Sequence, residues 1–132
     1  MKFHLDVAHG VNMITRHEDT RVWVNNQAWE ESVIVPWQGA AVAWQVAHFD
    51  ALGPQAFARL LSLEPELILF GSGQRLRFAP APWLRALIER GVGVETMDTA
   101  AACRTFTVLA GEGRKVVAAL LVPRRELNPP ST

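Results

Sequence analysis

Chemistry in this chain would have to come from Gly71, Ser72, Gly73, Arg77, Glu95, Glu112 and Arg114. Gly71-Ser72-Gly73 follows an apolar run, Leu67 to Phe70, and paired glycines let a backbone approach a phosphate or another anion closely. With Arg75 and Arg77 just beyond, the turn could serve as an anion-binding nest. Dinucleotide binding is a poorer reading. The third glycine position is Leu76, the next helix is expected only at about Pro82, and no Gly-Lys-Ser/Thr ending makes a P-loop. Ser72 also lacks the Gly-x-Ser-x-Gly spacing of a nucleophile elbow. The competing reading is a turn that needs positive φ and nothing more.

Glu95 is the second focus. It falls in Gly93 to Met97, expected to be a strand covered on both faces, where an unpaired carboxylate is costly. Arg114, Arg77 and Arg104 are the available partners, and Glu112 and Arg114 extend the same polar set. Such a group either fixes the sheet as an ion pair or sits with a perturbed pKa in a cleft at the strand ends. Cys103 lies within a helix rather than at its N-terminus, which suits a buried, inert thiol. His4, His9, His17 and His48 show no metal-ligand spacing, so no metal site and no cofactor is expected. Trp37, Trp44 or Trp83, if exposed on an apolar patch, would mark a protein interface.

The elements that position these residues change character near Asp50. Before it, β-branched and aromatic residues alternate with turn formers. Met13 to Thr15 and Arg21 to Val24 read as strands, Asn25-Asn26-Gln27 as a turn, and Ser32 to Val35 as a continuation of the meander ending at Pro36. Ala41 to Trp44 follows. After Asp50 a helix is expected over Pro54 to Leu61, then a central parallel strand over Leu67 to Phe70. An alternating segment, Gln74 to Phe78, precedes a helix with Pro82 at its first position, Trp83, Leu84, Leu87 and Ile88 on one face, and Gly91 at its end. Arg85 and Glu89 should pair on the other face. Asp98 or Thr99 caps a mostly covered helix to about Ala110, and Lys115 to Val122 is the last strand. The residues thus specify a β-rich N-terminal half followed by β-α-β-α-β, an α/β arrangement with right-handed crossovers where strands are parallel.

Composition bounds the classes of function. A chain of 132 residues supports one core, with a single domain over 1–122 and a flexible, proline-rich tail over 123–132. Thirteen Lys and Arg balance thirteen Asp and Glu, so no global positive field draws nucleic acid or an anionic membrane. One cysteine suits a reducing compartment. Asp6 and His9 interrupt any apolar core of a signal peptide, and the longest apolar run, Val116 to Val122, is too short to span a bilayer. A cytoplasmic protein without direct membrane insertion is expected, as a monomer or weak homo-oligomer.

Three stretches carry a resemblance. Gly71-Ser72-Gly73, Gly91-Val92-Gly93-Val94-Glu95-Thr96-Met97-Asp98-Thr99-Ala100-Ala101-Ala102 and Leu109-Ala110-Gly111-Glu112-Gly113-Arg114 resemble a widespread small family of undetermined biochemical function. It includes a mitochondrial assembly factor for respiratory complex I and an adipogenesis-associated mammalian protein. Where such proteins usually show Thr-Tyr/Phe-Asn, this chain has Thr105-Phe106-Thr107. The resemblance implies a three-layer fold around a mixed central sheet with the last strand antiparallel. By analogy with the assembly factor it also implies a non-catalytic assembly or interaction module that works through a protein partner. The alternative is a small-ligand or anion-binding domain, an enzyme included, with its site near Gly71 to Gly73, Glu95 and Arg114.

Overall fold

Two asparagines set the first chain reversal. Asn25 and Asn26 hold φ of 50° and 71°, left-handed values that short amide side chains tolerate better than most. In the computed structural model, which describes residues 10–123, this turn joins β2 (Arg21–Val24) to β3 (Gln27–Trp29). β1 (Ile14–Glu18) pairs antiparallel with the other side of β2. Val22 and Val24 turn inward and are buried.

The meander does not continue through Ser32. β4 (Val33–Pro36) crosses to a second sheet, because all four residues are buried, whereas a strand of a one-sided meander keeps alternate residues wet. That second sheet also holds β5 (Val42–Ala43), β6 (Leu67–Gly71), β7 (Gly93–Met97) and β8 (Val116–Leu120), in the order β5-β4-β8-β6-β7. β6 is parallel to both neighbours, as expected from its unbroken apolar run. β8, buried at every position, is parallel to β6 and antiparallel to β4. The strand that opposes the rest is therefore β4, not the last strand. β7 was expected to be covered on both faces and instead forms an edge, with Gly93 and Glu95 exposed. A strand containing Glu-Thr suits that place, since an edge tolerates a charge that an interior strand would have to neutralise.

Helix α1 (Pro54–Ala58) tightens into a 3-10 turn, Arg59–Leu63, and stops at Glu64, whose φ is 54°. Helix α2 (Ala81–Glu89) places Pro82 in its first turn and ends before Gly91, at φ 75°. Arg85 and Glu89 do not pair; the ion pairs among the described residues are Arg16–Glu18, Arg21–Glu30, Arg77–Asp50 and Arg114–Glu66. Helix α3 (Thr99–Gly111) buries Thr99, Ala102, Cys103, Phe106 and Ala110, a helical stripe at three- and four-residue spacing.

Alternation along β6 and β8 sends side chains to two cores. Ile68, Phe70, Val117 and Ala119 meet Phe57, Leu60 and Leu87 from α1, the 3-10 turn and α2. Leu69, Val116, Ala118 and Leu120 meet α3 and the valines of β2. Three layers result. The β6-α2-β7 crossover steps outward over one face, and β7-α3-β8 steps back past β6 over the other, so both have the same hand. The tail expected over 123–132 and the N-terminal reading lie, apart from Pro123 and Gly10, outside the described residues.

Thr107 clips the small sheet to α3. Its hydroxyl accepts from the Ile14 N–H at 3.1 Å and donates to the Ile14 carbonyl at 3.3 Å. An asparagine amide offers the same donor and acceptor pair. Thr107→Val should therefore lower stability by ~1–3 kcal/mol in urea unfolding, while Thr107→Asn keeps most of it; equal losses in both variants would show that the clip is not the stabilising element.

Candidate functional site

The Gly-Ser-Gly turn leaves the C-terminal end of β6 beside β7, and the crossovers from these two neighbours run over opposite faces of the sheet. Open α/β sheets commonly bind ligands at such a switch point. Here the backbone of the turn is bonded to the protein itself. The buried Thr99 hydroxyl, at the start of α3, accepts from the Gly73 N–H at 2.9 Å and donates to the Leu121 carbonyl at 2.8 Å. The Thr99 N–H donates to the Gly73 carbonyl, and the Ser72 N–H to the Met97 carbonyl, each at 2.9 Å. The Asp98 carboxylate caps α3 by accepting from the Ala101 N–H at 2.8 Å.

Gly71 permits this closure. A Cβ there would lie 2.9 Å from Leu120 Cδ2, 3.0 Å from Thr99 Oγ1 and 3.1 Å from Thr99 Cα. Gly73 has φ of 106°, so its requirement is conformational, with open space around it. Ser72, also buried, ties the following loop: its Oγ donates to the Arg75 carbonyl at 2.7 Å and accepts from the Arg77 N–H at 3.1 Å. The N–H groups of Ser72 and Gly73, which an anion-binding nest would need, are thus already engaged.

Of the other candidate residues Arg77 meets this turn, lining one hollow with Ser72 and Gly73, whereas Glu95, Glu112 and Arg114 do not. Arg77 lies over the Phe49 ring, 4.0 Å from its centroid, with Nη2 3.4 Å from Asp50. Glu95 is exposed on the edge strand opposite Leu69, without an ion-pair partner among the described residues, so the buried-carboxylate reading is corrected. Glu112 is exposed at the end of α3. Arg114 donates through Nε to Glu66 at 2.8 Å, and the Lys115 N–H donates to the same carboxylate at 2.9 Å. This pair precedes β6 and β8, about 16 Å of strand from Gly71. A cleft joining Gly73, Glu95 and Arg114 does not exist, because Arg114 is at the opposite end of the sheet. Glu66 was missed in the sequence because its partners lie 48 and 49 positions away.

Two hollows flank Gly73 and Gln74. One, of about 370 Å³, includes His17, Glu18, Asp19 and Asp98; the other, of about 250 Å³, includes His48, Phe49, Arg75 and Arg77. The turn thus separates an acidic recess from a basic one. A larger hollow of about 530 Å³, elsewhere, is lined by Arg59 as its only ionisable residue. Burial pushes the Cys103 thiol up to about 12, which leaves it protonated and unreactive. The tryptophans are core elements. Trp44 is buried and donates from Nε1 to the Ala56 carbonyl at 3.1 Å, while Trp37 and Trp83 pack half-buried against the cores. Leu76, Phe78, Ile88 and Val108 are instead the strongly exposed large apolar residues among those described.

A mixed five-stranded sheet between two helical layers, one carrying a small antiparallel sheet, defines a three-layer α/β protein. A family model described as "Protein of unknown function (DUF498/DUF598)" matches residues 14–121, and the chain belongs to that family. A crystal structure of a Bordetella parapertussis protein superposes with a TM-score of 0.82 at 33% identity, covering 86% of this chain and 97% of that one. A Bordetella pertussis protein described as a Mth938-like domain gives 0.79 at 30% identity, covering 96% of each chain. The Bos taurus protein named NADH dehydrogenase (ubiquinone) 1 alpha subcomplex assembly factor 3 is 37% identical over 86 residues, 64% of this chain and 47% of its own. The chain spans about half the length of that relative.

Two measurements check this geometry. Gly71→Ala should cost ~1–3 kcal/mol in chemical unfolding, because the backbone of Thr99 cannot move aside; an unchanged midpoint would mean that the approach of α3 is loose. Glu66 is held below the ordinary carboxyl value of 4.5, first by the Lys115 N–H and then by the Arg114 guanidinium. Its lowered pKa stabilises the fold above the unfolded value, and the effect fades as pH falls through the folded one. Wild type should melt above Glu66→Gln at neutral pH, with the gap closing below pH 4.5; a gap independent of pH would refute the linkage.

Proposed function

We propose that this chain is a non-catalytic protein-assembly or protein-interaction module of the cytoplasm, working without a cofactor. The observation that carries this reading is the contrast at the switch point. The Ser72 and Gly73 N–H groups, which would hold an anion there, are engaged by Met97 and Thr99, while the loop leaving the turn exposes Leu76 and Phe78. An apolar pair of that size in water is a feature of contact surfaces. The assembly-factor name of the bovine relative supports the same class of role. Among the described residues no helix is long and apolar enough to cross a membrane, which agrees with contacts made outside the bilayer. The anion-binding alternative loses the turn as its ligand, since the Ser72 and Gly73 N–H groups are engaged.

Affinity capture of the tagged chain from gently lysed native cells, followed by gel filtration, tests the reading. A complex with a different protein, of defined stoichiometry, is the expected result. Elution only at the mass of the free chain, 14.6 kDa, would overturn it.

A further inference from the structure

The loop Gln74 to Pro80 is held from one side only. Ser72 Oγ fastens the Arg75 carbonyl and the Arg77 N–H, and the Arg77 guanidinium is set over Phe49 at 4.0 Å. Phe49 in turn packs on Phe70 of the central strand, with centroids 6.3 Å apart, and on Trp83 of α2 at 5.5 Å. Residues 74–78 are all exposed, Arg77 included. Leu76 and Phe78 are 53% and 68% exposed. They are held apart from the core by a fixed backbone rather than left loose, and pre-ordered apolar groups lose less freedom on binding.

The surroundings are basic. Arg75 and Arg77 flank Leu76 in the loop itself, with Asp50 3.4 Å from the Arg77 guanidinium. Beside the apolar ridge lies the hollow of about 250 Å³ with His48, Arg75 and Arg77 on its walls. A two-fold pairing of this patch with itself would set arginines against arginines. A flat bilayer would leave the hollow empty. We infer that the surface formed by Leu76, Phe78 and the adjoining basic hollow docks an acidic segment of a partner protein, whose apolar side chains cover the ridge while a carboxylate enters the hollow. This rests on the assembly-module reading and assigns its contact surface and the chemistry of its partner.

Random peptides displayed on phage, panned against the full chain, provide the probe. Enriched peptides should interleave apolar residues with Asp or Glu, and their affinity should fall with added salt. Phe78→Ser and Arg75→Glu should each weaken them roughly tenfold or more, measured by fluorescence anisotropy. Val108→Ser, at an exposed position on α3 in the opposite layer, should leave affinity unchanged. All three sites are exposed, and melting curves confirm that each variant is folded. The inference is overturned by peptides without acidic residues, by no enrichment, or by indifference to Phe78→Ser. Binding to phosphatidylglycerol vesicles without peptide binding, or a dimer abolished by Phe78→Ser, would equally overturn it in favour of a bilayer or a second copy. If Phe78→Ser captures the same extract complex as wild type, the assembly reading stands and this surface is removed from it.

Discussion

One hydroxyl holds together the chain leaving β6 and the chain leaving β8. Thr99 Oγ1 joins the turn after β6 to the chain leaving β8, and it can do so only because Gly71 has no side chain. Burying a hydroxyl without partners is expensive; with one donor and one acceptor met, the same group fixes geometry instead. The start of α3, the Gly-Ser-Gly turn and the last strand become one unit.

From that unit the order spreads along aromatic contacts. Phe70, the penultimate residue of β6, meets Trp44, Phe57 and Phe49, and Trp44 and Phe57 meet edge-on with centroids 5.7 Å apart. Edge-to-face pairs have preferred angles that a purely aliphatic core lacks. Phe49, tilted 36° from Phe70, continues the contacts to the surface, where Arg77 rests on its ring. The exposed loop is therefore connected to the centre of the sheet by successive contacts of defined geometry, although nothing covers its outer side among the described residues.

Much of this architecture was legible in the chain. Leu67 to Phe70 and Val116 to Val122 have apolar runs that only covered strands sustain, and the Asp98 cap and alanine-rich stripe announce α3. What remained hidden depends on strand order. Periodicity says that Gly93 to Met97 is a strand, but not that it lies at an edge, so Glu95 was read as buried when it faces water. Arg114 and Gly73 were grouped because they flank β-α-β-α-β elements in sequence, whereas the parallel register sends them to opposite ends of the sheet. Thr99 was considered only as a cap. Its bonding partners lie 26 and 22 positions away, beyond the reach of local pattern.

The position of β8 has a temporal meaning. It joins β4 on one side to β6 on the other, yet it is the last of the described strands to be synthesised. Until Val116 to Leu120 are available, the β4-β5 pair and the β6-β7 pair have no shared hydrogen bonds, and each presents an open apolar border. Closing the sheet requires contacts across more than eighty positions, from Val33 to Leu120, and contacts of such separation slow folding. The nascent chain is thus a pair of incomplete halves with adhesive margins, the stage at which chaperones find their substrates.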